Sequence, residues 1–110
     1  MSSTEEKQLA RDAELKKRRV RDWRRLLGLV EGRRIVWSLL CVCGHRKNAF
    51  VLNDPYATAY NCAMRAMGNY IEDFVRKAEP AAYEQMAQEA KAEEAQFKAE
   101  MKNVEEEIYG

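Results

Sequence analysis

Glycine and proline are scarce in this chain, and their scarcity limits the folds that it can adopt. Only five glycines and two prolines occur among its 110 residues. Folds with many short strands need such residues at frequent turns, so the composition favours a few long helices. The length allows one small domain and excludes a doubly wound sheet with a second domain, or a barrel enzyme of ordinary size. We therefore predict an all-α fold with a small core of about four helices.

Cysteine and histidine are also few. The three cysteines, Cys41, Cys43 and Cys62, are an odd number, and no secretory leader pattern opens the chain, so we expect a reducing compartment rather than a disulfide framework. The Cys-x-Cys-x-His spacing that ends at His45 is too tight for a zinc knuckle. We expect buried free thiols, an exposed His45, and neither a metal nor a cofactor.

Long apolar runs and catalytic groupings are absent as well. The longest uncharged run, residues 35–45, has 11 residues and is too short to span a bilayer. Glu72 and Asp73 are adjacent on a predicted helix and so face different directions, while Gly28 and Gly32 lack the Lys-Ser/Thr that a phosphate-binding loop needs. We expect no membrane span, no catalytic residues and no enzymatic activity.

Four helices are predicted from capping signals and apolar spacing. The first runs from Thr4 to about Leu29, with Ser2 and Ser3 as candidate caps. A break at Gly28 to Gly32 separates it from a second segment, a helix or a strand by periodicity alone, for which we favour a helix ending at Gly44. The third spans residues 56–77, after a cap at Asn53 or Asp54 and a proline in its first turn. The fourth begins at Pro80.

Apolar spacing predicts which faces form the core. On the third helix, residues recur at intervals of three and four and predict a core-facing seam; they are Tyr56, Tyr60, Ala63, Met64, Met67, Tyr70, Ile71, Phe74 and Val75. Trp23 and Trp37 are expected in the core too. We expect Gly68 to allow a close helix crossing beneath Trp37, and Arg33 and Arg34 to face an acidic partner such as Glu31, Asp54 or Glu72.

Charge divides the chain into a basic first part and an acidic second part. Residues 1–47 carry thirteen Lys and Arg against six Asp and Glu, a net charge of +7, and residues 48–110 carry a net charge of −6. We predict a basic helical arm at 1–22, a helical core at 23–86 and an acidic amphipathic arm at 87–110. The sparse apolar stripe of the last helix is a candidate protein interface: Tyr83, Met86, Phe97, Met101, Val104 and Ile108.

The basic stretch of the first helix has three possible roles. It can lie along a phosphate backbone, face solvent, or dock the acidic helix. Asp12, Glu14 and Asp22 interrupt it and weaken the first of these. The candidate contacts to nucleic acid or to an acidic partner are Lys16, Lys17, Arg18, Arg19, Arg21, Arg24 and Arg25.

A series of short motifs in the central stretch occurs in a characteristic order. They are Gly32-Arg33-Arg34, Trp37, Leu39-Leu40, Gly44, Phe50, Arg65-Ala66-Met67-Gly68 and Pro80-Ala81-Ala82-Tyr83. Over about residues 22–90 the chain resembles the Bbp19-like family of small podovirus proteins, although Ala63 stands where that pattern often has glycine. The resemblance implies a structural or assembly protein of a tailed phage, and no catalytic residues come with it.

These observations lead to one principal functional hypothesis and two alternatives. The principal hypothesis is a non-enzymatic virion or assembly protein, a minor head, portal-associated or internal-core component, made in the host cytoplasm and acting as a homo-oligomer that contacts portal or core proteins. The first alternative is a module that binds phage DNA through the basic helix during packaging or ejection. The second is a regulator whose C-terminal helix lies in a partner's groove.

Overall fold

The computed structural model describes residues 2–45 and 47–109 and contains four helices over that range. They are α1 (Ser3–Leu27), α2 (Val30–Val42), α3 (Pro55–Ala78) and α4 (Ala82–Tyr109). The residues described include no β-strand. The all-α prediction is confirmed.

Local capping groups fix the starts of α1 and α3. Ser2 and Glu5 form a reciprocal capping box, with each backbone N–H donating to the other side chain at 3.2 Å. At α3 the Asp54 carboxylate accepts from the Ala57 N–H at 2.9 Å, and Pro55 occupies the first turn, where its missing N–H costs no hydrogen bond. Both sequence predictions are confirmed.

The second helix starts earlier than the sequence predicts. Gly32 was expected to lie in a break, but α2 begins at Val30 and includes it. A Cβ at Gly32 would lie 1.9 Å from the Leu26 carbonyl oxygen, so the glycine permits α1 and α2 to approach backbone to backbone. Its role is a close helix contact rather than a chain break.

The end of α2 is a Schellman motif, as the sequence predicts for a terminating glycine. Gly44 has φ +64°, in the left-handed region, and donates its N–H to the Cys41 carbonyl at 3.0 Å. His45 donates its N–H to the Leu40 carbonyl at 3.1 Å. The chain therefore reverses at Gly44 and brings His45 back against the helices.

The core lies where the four helices meet. Its buried side chains come from the end of α1, one face of α2, the end of α3 and the start of α4: Leu27, Val36, Leu40, Val75, Ala78, Ala82, Tyr83 and Met86. Trp23 stacks on Phe74 with ring centroids 5.6 Å apart, and Trp37 meets Tyr83 edge-on at 5.8 Å. Trp23 and Trp37 pack against the core as predicted, although each is only partly buried.

Much of the predicted α3 seam is exposed. Tyr56 is 88% exposed, and Tyr60, Met67 and Tyr70 are all more than half exposed. The prediction that these residues form the core is wrong within this chain, because only the last turns of α3 are enclosed by the other helices. Val75 is fully buried, and Ile71 and Phe74 are half-buried.

The molecule is elongated, because the outer ends of α1 and α4 extend away from the core. Its extents are 78 × 42 × 18 Å and its radius of gyration is 20.1 Å. A compact domain of 100 residues has a radius of gyration of about 13 Å. Every residue from 91 to 109 is exposed, so the acidic helix does not lie along the basic helix of its own chain. The precise arm and core boundaries stay a prediction.

Candidate interaction surfaces

The outer part of α4 carries an unpartnered apolar face, which we call the arm stripe: Phe97, Met101, Val104 and Ile108. The spacing of four, three and four residues places all four on one side of the helix. They are 60%, 44%, 44% and 67% exposed. A ridge of this kind matches the seam along which helices pair.

Tyr83 and Met86, the other two residues of the predicted interface, lie in the core. Tyr83 is 6% exposed and Met86 is 1% exposed. In this conformation they are not accessible to a partner, because α4 begins inside the core and leaves it only after about Glu89. The remaining four residues stay a predicted protein interface.

Acidic residues flank the arm stripe unevenly. Glu93, Glu100 and Glu107 recur every seven residues along one edge. The opposite edge is mixed, and there Lys98 pairs with Glu94 at 3.2 Å. One edge of the arm stripe is therefore a continuous line of negative charge.

A buried arginine fixes the direction in which α4 leaves the core. Arg33 is 8% exposed, and its Nε lies 2.6 Å from Glu89 Oε1, with Nη2 3.3 Å from Oε2. Its Nη1 donates to the Leu27 carbonyl at 2.9 Å, which satisfies a free carbonyl at the end of α1. The expected partners Glu31, Asp54 and Glu72 were wrong for Arg33, because α2 faces α4 at this point.

A cleft of about 520 Å³ lies between α2 and α4 beside this ion pair. Arg33, Arg34 and Trp37 line its α2 side, and Glu89 and Glu93 line its α4 side. The cleft thus carries both signs of charge within one chain. The arginines of the cleft therefore already face glutamates of the same chain.

A second unpartnered apolar surface, which we call the core patch, spans α2 and α3. It consists of Ile35, Leu39 and Val42 on α2 and of Tyr60 and Met67 on α3, all more than 45% exposed. The three α2 residues follow i, i+4, i+7 spacing, on a different face from the buried Val36 and Leu40. Residues 35–42 are apolar except for Ser38, which is a sequence signal that both faces of this part of α2 need covering.

Two basic side chains lie at one end of the core patch. Val42 and Tyr60 line one small cavity of about 150 Å³, together with Lys47 and Arg65. This cavity joins the α2 part of the patch to the α3 part. Lys47 and Arg65 are both exposed. The core patch is therefore apolar, with positive charge at the end where Val42 and Tyr60 meet.

The seven predicted basic contacts on α1 are all exposed but do not share one role. Arg24 donates from Nε to the Ala78 carbonyl at 3.0 Å and so caps the end of α3, and the Arg19 guanidinium lies 5.8 Å from the centre of the Phe74 ring. Arg18, Arg21 and Arg25, at i, i+3 and i+7, lie on the face opposite the core-facing side chains. Lys17 pairs with Glu14 at 3.6 Å, and Lys16 is exposed.

His45 is buried rather than solvent-exposed, which corrects the sequence prediction. Its side chain is 6% exposed, with Nε2 3.4 Å from Glu72 Oε2, an ion-pair distance without hydrogen-bond geometry. A Cβ at Gly68 would lie 3.2 Å from Cys43 Cβ and 3.4 Å from His45 Nδ1. The close approach predicted at Gly68 therefore exists, but the turn at residues 43–45, and not Trp37, makes it.

Arg76 completes this cluster, with Nη2 2.8 Å from Glu72 and its guanidinium 4.7 Å from the centre of the Tyr83 ring. The groups link α3 to α4 and to the turn after α2. Cys43 is a buried free thiol as predicted, whereas Cys41 and Cys62 are exposed, contrary to the expectation of burial.

Among residues 2–45 and 47–109, no three or more His, Cys, Asp or Glu side chains are grouped so as to hold a metal ion. No helix within the same ranges has the length and apolar character needed to cross a membrane.

Comparison with known proteins identifies the family. The family model described as Bbp19-like phage protein matches residues 23–88. The match includes the core and the core patch and ends before the arm stripe. No curated protein and no solved structure gives a significant match. The chain belongs to the Bbp19-like family of phage proteins.

Proposed function

We propose that this Bbp19-like phage protein is a non-enzymatic virion or assembly protein that acts as a homo-oligomer. Within the particle it would be a minor head, portal-associated or internal-core component, as expected for a podovirus protein made in the host cytoplasm and built into the virion. Its partners would be copies of itself and other phage structural proteins such as portal or core proteins. The contacts would be made by helices.

One observation carries this proposal: ordered helices present large apolar surfaces that the chain itself does not cover. Exposed large hydrophobic side chains outnumber the buried hydrophobic ones among the described residues. Scattered exposed apolar residues are common on monomers, but contiguous apolar patches with polar rims mark interaction sites. The arm stripe and the core patch both have this form.

The oligomeric state tests the proposal directly. Size-exclusion chromatography with light scattering at tens of micromolar should give a mass well above the 12.8 kDa of one chain. A strictly monomeric protein under these conditions would contradict self-assembly. Mass spectrometry of purified virions of the encoding phage tests the location, since a virion component should be recovered with the capsid and a protein confined to the infected cell should not.

The outward arginines of α1 favour a second candidate function, binding of phage DNA during packaging or ejection. Arg18, Arg21 and Arg25 form a basic face that takes no part in the core. Each phosphate contact that is lost should reduce the salt dependence of the logarithm of the binding constant by about one unit.

The variant Arg18→Gln/Arg21→Gln/Arg25→Gln tests this role and spares Arg19 and Arg24, which contact the fold. If the basic face binds DNA, the slope should fall by about 2 to 3 units. The matched control, Lys91→Gln/Lys98→Gln/Lys102→Gln, removes three positive charges from α4 instead. Equal slopes for the two variants would exclude a specific role for the α1 face.

A further inference from the structure

We propose that the arm stripe of one copy docks on the core patch of the next copy, so that subunits join head to tail. The inference rests on the proposed homo-oligomer and specifies its interface. It pairs two helix-borne apolar surfaces that the described chain leaves uncovered.

The core patch requires a cover because of the composition of α2. Val36 and Leu40 bury one face of this helix, while Ile35, Leu39 and Val42 expose the other, with Val42 72% exposed. Residues 35–42 of α2 are apolar except for Ser38, and an apolar helix face is normally enclosed. The chain encloses one side of α2, so a second molecule is needed for the other.

Charge selects the arm stripe as the cover. Lys47 and Arg65 border the core patch where Val42 and Tyr60 meet, whereas one edge of the arm stripe carries Glu93, Glu100 and Glu107. Complementary potentials favour this pairing and disfavour wrong partners. The cleft between α2 and α4 is a weaker acceptor, because its arginines already face glutamates of the same chain.

The same charges disfavour antiparallel pairing of two arm stripes. In an antiparallel pair the glutamate edges would face each other along their whole length, since flanking positions on the same side meet. In a parallel pair the repulsion between Glu100 and Glu105 of the second helix would be offset by attraction between Glu93 and its Lys98, so charge does not favour that pairing either. Like charges that flank a helix seam are destabilising, so the arm stripe fits a basic acceptor better than its own copy.

The arm stripe is longer than the core patch, so it can cover the patch along its full length. The arm stripe from Phe97 to Ile108 is about 16 Å long, and the α2 part of the core patch from Ile35 to Val42 is about 10 Å long, at 1.5 Å per residue. The α3 part lies alongside and widens the acceptor. Because the two surfaces differ, the contact is heterologous, and repeated copies form a closed ring or an open filament.

Two complementary variants test the docking. The arm variant, Met101→Glu/Val104→Glu, and the patch variant, Leu39→Glu/Val42→Glu, change exposed side chains and should keep the helical content seen by circular dichroism. Each alone should be monomeric by light scattering, whereas the wild type should be an oligomer. An equimolar mixture should give a dimer of twice 12.8 kDa, because one intact arm stripe meets one intact core patch and the chain cannot extend.

Tyr60→Glu provides a second patch variant, on α3, in case the α2 changes unfold the protein. This variant should also be monomeric alone and should form a dimer when it is mixed with the arm variant. Leu9→Glu is the control, since Leu9 is 55% exposed on α1 and outside both surfaces. This control should assemble like the wild type, and its dissociation would place the acceptor on α1 and overturn the docking.

The remaining outcomes separate the two proposals. A patch variant that keeps the wild-type mass, or a mixture that stays monomeric, overturns head-to-tail docking and leaves self-assembly standing. A monomeric wild type overturns both.

Discussion

Substitution of Gly32 by alanine should destabilise the fold strongly, although Gly32 lies inside a helix where alanine usually stabilises. The added Cβ would lie 1.9 Å from the Leu26 carbonyl oxygen and 2.8 Å from its carbon. Both atoms belong to the backbone, so no side chain can rotate away. The ends of α1 and α2 would have to separate.

The size of the effect follows from that distance. A carbon atom approaches a carbonyl oxygen to about 3.3 Å at the closest, so the helices would have to move apart by more than 1 Å at a well-packed crossing. Overpacking of this kind costs about 1 to 3 kcal/mol and occasionally more, and the helix propensity of alanine returns about 1 kcal/mol. Because the clash is with backbone, we expect the upper end and a net loss of about 2 kcal/mol, a large part of the usual 5 to 15 kcal/mol.

Urea and thermal unfolding followed by circular dichroism measure this loss, at one fixed protein concentration because assembly would shift the apparent stability. Gly28→Ala is the matched control. Its Cβ would meet only ordinary contacts at 3.4 and 3.5 Å in a right-handed backbone conformation, so its stability should equal or exceed that of the wild type. If Gly32→Ala unfolds within about 0.5 kcal/mol of the wild type, the range typical of neutral surface changes, the backbone contact is not the reason for this glycine.

Three further substitutions test individual contacts by urea unfolding. Arg33→Met should lower the free energy of unfolding by about 2 kcal/mol. This is less than the loss of a fully buried ion pair, because the Glu89 side chain is 37% exposed. Arg34→Met, at an exposed position, is the control, and its free energy of unfolding should stay within about 0.5 kcal/mol of the wild type. Asp54→Ala should cost about 1 kcal/mol through loss of the α3 cap, and Asp54→Asn should restore most of it. Trp23→Ala should cost about 2 to 3 kcal/mol, below the value for a fully buried ring, and an unchanged midpoint would mean that its stacking contact does not support the fold.

The helices could be predicted because their ends are coded locally. Ser2 with Glu5, Asp54 with Pro55, and Gly44 each satisfy backbone groups within a few residues, so sequence order alone is enough to find them. The predicted bounds of α1 and α3 agree with the structure to within about two residues, the usual uncertainty of helix ends.

The wrong predictions for Gly32, Arg33 and His45 share one physical cause. Each of these residues has a role set by an element that it meets in space, and local sequence does not identify that element. Gly32 has the same local appearance whether it breaks a helix or allows a crossing, and only the position of Leu26 in α1 decides between the two. Arg33 was paired with acids near in sequence or on α3, whereas its partner Glu89 is 56 positions away. His45 was expected in solvent because the sequence predicts the turn at Gly44 but not that the reversed chain meets α3 at Gly68.

The misassigned α3 seam has a different origin, and it bears on function. Apolar spacing indicates that a helix face is suited to burial. It does not indicate whether the residues that cover the face belong to the same chain. Tyr60 and Met67 satisfy the spacing of a core face and yet are exposed, as do Ile35, Leu39 and Val42 on α2. Exposed apolar faces of this kind would be an aggregation liability on a monomer. The exposed part of the α3 seam is consistent with the proposed interface, which would lie on the family-matched core as well as on the arm beyond it.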